Sequence, residues 1–448
     1  MTNSKNKYSL FTTIGMIVGI VIGSGIFFKS DNILIATNGS IILGVVIFCI
    51  AAISIIFGSL TLSELASRTD SPGGVIAYAE EFCSPTISCA FGWFYSFLYY
   101  PALVAIIGWV SGIYMCQLFN FESTLLTQCL LGLGAIIILF ITNIVSRKLG
   151  GYLQNAATII KLFPLIAIAI VGLILGDPKQ IDVSNIATIK SLGWVSAITP
   201  IAFAFDGWII ATSISNEIKN AKRNLPIALI FSPIFILLIY IAYFIGISIF
   251  VGPDNIMKLG DGHVAYAANN LIGGFGTKVL LIFINISILG TLNGLILGII
   301  RLPYSLGIRE MLPFSKHFSK LNDNLGISIP SAIGSFVISL VWLALHYLTQ
   351  KFNLLPNSDI SEIPIVFSYI LYIVLYVKVL ALGNKGEIKG IWRCKVNPIM
   401  AILGSLTILF GSITNPMFIT YTVICTILII ASIIFWKKFG EPKYTVNK

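Results

Sequence analysis

Charge is what this chain has least of. Only 10% of its 448 residues are Asp, Glu, Lys or Arg, against about 25% in a soluble globular protein. A water-soluble fold of this length is therefore excluded. Histidine is scarcer still: His263, His317 and His346 are the only three, and each falls in a connector or at the end of an apolar run. No central acid–base or metal-binding set is left for an intramembrane enzyme. The seven cysteines (Cys49, Cys83, Cys89, Cys116, Cys129, Cys394 and Cys425) contain no C-x-x-C pair and none neighbours a histidine at ligand spacing. They read as small buried hydrophobes, so no metal and no cofactor is expected. Hydrophilic stretches long enough for a soluble catalytic or signalling domain are also missing.

Apolar residues are what is abundant. They make up 57% of the chain, and the mean hydropathy is +0.94. A helix needs roughly 20 mostly apolar residues to cross the hydrocarbon core of a bilayer. About twelve stretches qualify: 9–35, 40–66, 86–118, 123–145, 152–176, 191–215, 225–251, 275–302, 328–349, 361–383, 397–414 and 417–437. The first follows Lys5 and Lys7 and lacks a small-residue cleavage site after a short core, so it reads as a span and not as a removable signal peptide. The expectation is an all-α membrane protein of about 12 transmembrane helices. Between spans 8 and 9, residues 303–327 mix Arg309, Glu310, Lys316, His317 and Lys320 with Leu312, Phe314, Phe318 and Leu321, which predicts a short amphipathic helix at the membrane surface.

The net charge of +10 is explained by where it sits. With an even number of spans and a cytoplasmic N-terminus, 21 of the 28 Lys and Arg fall on the cytoplasmic side and six outside. The acidic residues divide almost evenly, nine against eight. This is the positive-inside asymmetry of Lys and Arg. It places a multi-pass protein in the cell membrane with both termini in the cytoplasm, and it implies the lipid bilayer, not nucleic acid, as the partner of the basic residues.

Two spans carry helix-weakening residues at mid-membrane. Span 1 contains Ile22-Gly23-Ser24-Gly25-Ile26, and span 6 contains Phe203-Ala204-Phe205-Asp206-Gly207. They lie five spans apart, an odd number, so the second copy enters from the opposite side of the bilayer. That is the pattern of inverted repeats with a substrate site where the two breaks meet. The expected organisation is one transporter domain over 1–448: a first repeat at 9–176, an inverted second repeat at 191–383, and two further helices at 397–437.

Unwinding a helix in hydrocarbon leaves backbone groups unpaired, at several kcal/mol each, unless a ligand or side chain takes them up. The N–H groups freed at a half-helix start suit a carboxylate, so Gly23, Ser24 and Gly25 predict an α-carboxylate clamp. Freed carbonyls suit an ammonium, so Phe203 to Gly207 predict an amino-group acceptor under an aromatic lid. Glycine is expected there for positive φ and for close approach of ligand to main chain.

Two charges fall inside the membrane. Lys161 lies mid-span, where a partner or a water-lined cavity is required. Either it snorkels to the interface, or it is a fixed ammonium bonding to carbonyls of broken span 1 in the place of a sodium ion. Asp206 either caps the second half of span 6 or meets a substrate ammonium or basic side chain; one carboxylate has oxygens for both. Tyr95, Tyr99 and Tyr100 in span 3, Tyr240 and Tyr243 in span 7, and Asn285, Ser287 and Asn293 in span 8 either line the pathway or pack between helices.

At these residues the sequence resembles the amino acid–polyamine–organocation superfamily, most closely its L-amino-acid transporter branch. Gly19-Ile20-Val21-Ile22-Gly23-Ser24-Gly25-Ile26-Phe27 looks like the family's span-1 motif. Glu64-Leu65 through Ser71-Pro72-Gly73-Gly74 to Tyr78 is similar to the motif after span 2, with the proline displaced. Asn216-Glu217-Ile218-Lys219-Asn220-Ala221-Lys222-Arg223-Asn224-Leu225-Pro226 resembles the motif after span 6, with Asn216 and Ala221 as departures. Asn293-Gly294 through Arg301, Tyr304 and Arg309-Glu310 to Leu312-Pro313 completes the set. The resemblance implies the leucine-transporter fold and sodium-independent amino-acid transport, usually by exchange. It implies substrate contacts at Ile22 to Ile26 and at Phe203 to Gly207, gating by Phe203, a coupling role for Lys161, and a gating match at Tyr243. Asp206 stands where many relatives have Gly or Ser, which puts a strictly neutral substrate in doubt.

The function expected is a sodium-independent exchanger of small neutral L-amino acids. The alternative is a proton-coupled symporter or a basic amino-acid or polyamine antiporter. Some members of this branch pair by disulfide with a single-span glycoprotein; Cys116 and Cys129 are the nearest candidates, and no obligatory protein partner is expected.

Overall fold

Serine and proline set the starts of several membrane helices. Ser40 accepts a hydrogen bond from the Leu43 N–H at 3.3 Å and opens the helix Ile41–Ala66. Ser84 accepts from the Ile87 N–H at 3.2 Å, with Pro85 at the first helical position, where an N–H has no partner anyway. Ser328 repeats the arrangement for Ile329–Lys351. The third crossing ends on Asn120, whose φ of 54° turns the chain out of the helix.

The computed structural model describes residues 7–442 except 24, 70, 72, 146, 182–193, 195–196, 210–211, 213–217, 323–324, 356–358 and 414–417. Among the described residues ten helices are long and apolar enough to cross a bilayer: Ile41–Ala66, Pro85–Phe119, Leu125–Val145, Ala156–Leu175, Ala221–Val251, Gly273–Gly307, Ile329–Lys351, Pro364–Asn384, Trp392–Ile413 and Phe418–Gly440. They are spans 2–5 and 7–12. The remaining two are the broken ones. Span 1 is the pair of helices Leu10–Val21 and Gly25–Ala36, and the described first half of span 6 is Ile198–Ala204, followed by a turn at 205–207. The described residues contain no strand beyond a single backbone bridge between Tyr8 and Ile218.

Packing puts the break of span 1 at the centre. Its first half lies against spans 5, 7 and 8, while span 2 packs on spans 7 and 11, and span 3 on spans 4, 8 and 9. Small residues permit the closest approaches: a Cβ on Gly112 of span 3 would collide with the backbone carbonyl of Gln128 in span 4. Outward-facing Ile138, Ile174 and Ile427 are exposed, as a lipid-facing surface requires.

Span 3 contains a π-helical turn at Tyr95–Tyr99 immediately before Pro101. Proline has no N–H to give the carbonyl of Phe97 four residues earlier. The Trp342 indole of span 9 donates to that carbonyl at 2.7 Å instead, so the irregularity doubles as an interhelical contact.

The region 303–327 departs from expectation. It forms two short helices, Leu302–Gly307 and Ser315–Phe318, in place of one amphipathic helix. Arg309 is not on a solvated face. It is buried and its Nε donates to Glu80 at 2.6 Å, with Nη1 on the Ser305 carbonyl and hydroxyl. Glu80 belongs to the helix Val75–Phe82 between spans 2 and 3, so an ion pair ties two connectors that a surface reading keeps apart. A second cluster lies at the same Lys/Arg-rich end. Glu64 receives Arg68 Nη1 at 2.8 Å, Arg393 Nε at 2.6 Å and Arg393 Nη2 at 2.8 Å.

Candidate substrate-binding site

The last turn of a helix leaves carbonyls without an N–H partner, and the first half of span 1 ends within the bundle at Val21. The Ile22 N–H still bonds to the Val18 carbonyl at 2.9 Å; the carbonyls after it need other donors. Lys161 of span 5 supplies two. Its ammonium donates to the carbonyls of Gly19 and of Ile22, the latter at 2.6 Å, and to the Thr291 hydroxyl of span 8 at 3.2 Å. An ammonium has three protons, and here all three are placed. Lys161 is fully buried, so it does not snorkel to the interface, and its ammonium bonds to carbonyls of broken span 1.

Tyr240 of span 7 joins the two breaks. Its hydroxyl lies 2.9 Å from the Ala204 carbonyl in span 6 and 3.2 Å from the Val21 carbonyl in span 1. One hydroxyl proton is thereby shared between the two half-helix ends. Its ring packs against Phe205 at 5.0 Å and Phe48 at 6.2 Å. Close by, Thr158 donates to the Gly15 carbonyl at 2.9 Å, so span 5 holds the first half of span 1 at two levels.

A pocket opens between the breaks, lined by Ile20, Val21, Gly23 and Gly25 from span 1, Leu103 and Ile107 from span 3, Ala204, Asp206 and Gly207 from span 6, and Thr291 and Leu295 from span 8. Its walls are mostly apolar, with one carboxylate, one hydroxyl and the broken main chain as polar features. Asp206 is buried, and its Oδ2 accepts from the Tyr99 hydroxyl at 2.6 Å. The other oxygen, Oδ1, has no hydrogen-bond partner of normal geometry among the described residues. Tyr99 is held in turn by edge-on contacts to Tyr95 at 5.1 Å and Tyr100 at 5.4 Å. No ion pair joins Asp206 to Lys161.

Glycine serves the two breaks differently. Gly207 has a φ of 96°, the left-handed region that favours glycine. Gly23 has no positive φ, where span 1 was expected to use one. Gly23 is needed for space: a Cβ there would lie 2.9 Å from the Thr291 hydroxyl oxygen and 3.3 Å from its methyl carbon.

Of the residues expected from sequence, Gly23, Gly25, Ala204, Asp206 and Gly207 line the pocket. Ile22 and Ile26 are buried beside it, and Ile22 contributes its carbonyl to Lys161. Phe205 turns its ring toward Phe48 and Tyr240. Tyr243 is buried in span 7 and is not among the lining residues. Ser24 and the Phe203 side chain lie outside the described residues. Asn293 packs helices: it accepts from Asn143 at 2.8 Å and donates to the Gly150 carbonyl at 3.0 Å. Asn285 donates to the Leu281 carbonyl of its own helix.

Sequence reasoning passed over Thr291, Leu103, Ile107 and Leu295. The signal for Thr291 was present: it lies two residues before Asn293 in a span already singled out for polar residues. Lys161, by contrast, does not line the pocket. It reaches the ligand space only through the Thr291 hydroxyl and the carbonyls it holds.

Comparison with known proteins identifies the family and the fold. The chain is 30% identical over 419 residues to a serine/threonine exchanger, SteT, of Bacillus subtilis, covering 92% of each chain. It is 26% identical to the b(0,+)-type amino acid transporter 1 of Mus musculus, over 99% of this chain and 90% of that one. It is 23% identical to the cystine/glutamate transporter of Homo sapiens, over 82% and 74%. Among solved structures it superposes on MhsT in complex with L-phenylalanine with a TM-score of 0.64, at 14% identity, over 89% of this chain and 98% of that one; this shows the shared fold. The family model for amino acid permeases matches residues 8–437. The chain is thus a multi-pass amino-acid transporter and belongs to the amino acid permease family.

Proposed function

We propose that this transporter exchanges small neutral L-amino acids across the membrane, without sodium, by alternating access. The observation that carries the reading is Lys161. Its three protons occupy two carbonyls of the broken helix and one hydroxyl of span 8, the kind of all-oxygen nest that would otherwise suit a monovalent cation. A substrate carboxylate is assigned to the main chain at Gly23, Ser24 and Gly25, and its amino group to the span-6 break from Phe203 to Gly207. The mostly apolar walls of the pocket suit an uncharged side chain, and the similarity to a serine/threonine exchanger supports exchange.

The two breaks are taken as corresponding points of inverted repeats at 9–176 and 191–383, with 397–437 as additions. The Lys/Arg-rich face, with both termini, is assigned to the cytoplasm. The protein is read as working without an obligatory disulfide partner, because Cys116 and Cys129 are both buried.

Counterflow in proteoliposomes tests the exchange. Labelled serine or threonine should enter vesicles preloaded with unlabelled substrate, equally in sodium and in choline, and should not accumulate in empty ones. Uptake into empty vesicles under an inward pH gradient would instead support proton-coupled symport. The buried Asp206 carboxylate in the pocket wall favours one second reading, a substrate with a cationic side chain. A competition panel of lysine, arginine and small neutral amino acids against one tracer separates the two.

A further inference from the structure

The connector between spans 10 and 11 is strongly basic. From Lys385 to Lys395 it holds Lys385, Lys389, Arg393 and Lys395 against a single acid, Glu387, and all five are exposed. Beside them Ile391 is 60% and Trp392 65% exposed. A tryptophan and a β-branched aliphatic side by side in water are costly. At the level of lipid headgroups the same pair is favourable, since tryptophan prefers that interface. The chain enters span 11 at this point, so the pair lies at the boundary of the apolar layer with four cations around it.

The neighbouring acid does not neutralise the cluster. Glu64, at the end of span 2, already takes Arg68 and the Nε and Nη2 of Arg393. The Arg393 side chain remains 57% exposed, and its Nη1 donates to no described residue. Ile388 and Cys394 are buried and anchor the connector on the protein, so its cations are presented from a fixed backbone and not from a loose tail.

We propose that residues 385–396 form a binding site for an anionic phospholipid headgroup, with Lys389, Arg393 and Lys395 meeting the phosphate and Ile391 and Trp392 entering the acyl boundary. The occupant is argued from charge complementarity and from position: a surplus of three positive charges with an adjacent aromatic at the membrane level fits an anionic lipid better than any soluble anion, which would leave the two apolar side chains in water. Because Arg393 also grips Glu64, a lipid held here fastens span 11 to span 2.

The test uses the full-length protein in dodecylmaltoside, titrated with dioleoylphosphatidylglycerol or dioleoylphosphatidylcholine while its melting temperature is followed. Phosphatidylglycerol should raise the melting temperature where phosphatidylcholine does not. Attraction to an anionic surface is worth about 1 kcal/mol per Lys or Arg, so Lys389→Gln with Lys395→Gln should need roughly 30-fold more phosphatidylglycerol for the same shift. Trp392→Ala should weaken the response without changing the melting temperature in detergent alone. Arg393 is left intact, since its substitution would also unpair Glu64. An unchanged phosphatidylglycerol response in the double variant would overturn the site. So would an equal loss in Lys437→Gln with Lys438→Gln, which would mark general surface charge. A Trp392→Ala variant that changes the size of the particle and not its lipid response would reassign the patch to contact between copies.

Discussion

Replacing Gly23 by alanine should impair transport through Thr291, and this can be measured as a coupling. No backbone strain is involved, because Gly23 has no positive φ. The added Cβ would lie 2.9 Å from the Thr291 hydroxyl oxygen, so Thr291 must retreat by about 0.5 Å to reach an ordinary van der Waals separation. Its hydroxyl already stands 3.2 Å from the Lys161 ammonium, near the outer limit of a hydrogen bond. A retreat away from Lys161 breaks that bond. A hydrogen bond to a charged group contributes about 1.5–3 kcal/mol, which predicts a roughly 10- to 150-fold fall in transport efficiency.

The assay is a double-mutant cycle on initial counterflow rates in proteoliposomes, with protein amount and melting temperature recorded for each variant. Thr291→Ala alone removes the hydroxyl and should be impaired by a similar factor. Gly23→Ala in that background meets no hydroxyl to displace, so its further effect should be small. A coupling of at least about 1 kcal/mol is expected, well above the ~0.5 kcal/mol within which independent sites add. Strictly additive losses would refute the reasoning and show that alanine at 23 acts only by occupying substrate space.

Other substitutions probe the remaining links. Lys161→Met should reduce exchange severely while the protein still folds, because the buried charge leaves together with its desolvation cost even as two carbonyls lose their donor; wild-type kinetics in proteoliposomes would demote Lys161 to packing. Tyr240→Phe removes the hydroxyl shared by Val21 and Ala204 and should slow exchange about 5- to 10-fold, with a lower melting temperature, for the loss of one net hydrogen bond. Asp206→Asn keeps the shape and deletes the charge: inhibition by lysine or arginine should fall more than inhibition by serine, and an equal fall for all would assign Asp206 to structure. Trp342→Phe leaves the Phe97 carbonyl opposite Pro101 without a donor and should cost about 1–3 kcal/mol of stability by thermal or denaturant unfolding.

Much of the architecture was legible because the bilayer imposes a length and a polarity on each crossing. All ten unbroken helices fall on apolar stretches read from the sequence, and both breaks were marked by residues that weaken helices. Lys161 was legible for the same reason, since a lysine at mid-span demands acceptors. What was hidden depends on packing in three dimensions. The neighbouring polar residues hinted at Thr291, but only the approach of span 8 to Gly23 and Lys161 gives it a role. Arg309 looked like a surface cation because its partner, Glu80, is over 200 residues away in the chain. Glycine has two uses, conformation at Gly207 and space at Gly23, and sequence does not separate them.

The saturated ammonium of Lys161 has a consequence for energy. A sodium ion that travels with its substrate carries charge through the field, worth about 2.3 kcal/mol per 100 mV. A cation tethered to span 5 returns to its starting place in every cycle, so over a full turn it does no electrical work. On the exchange proposed above, a carrier built this way would draw on no ion gradient of its own. With a neutral amino acid moving in each direction, its turnover should be indifferent to membrane voltage, and the gradients it builds for one substrate can only be those it dissipates for another.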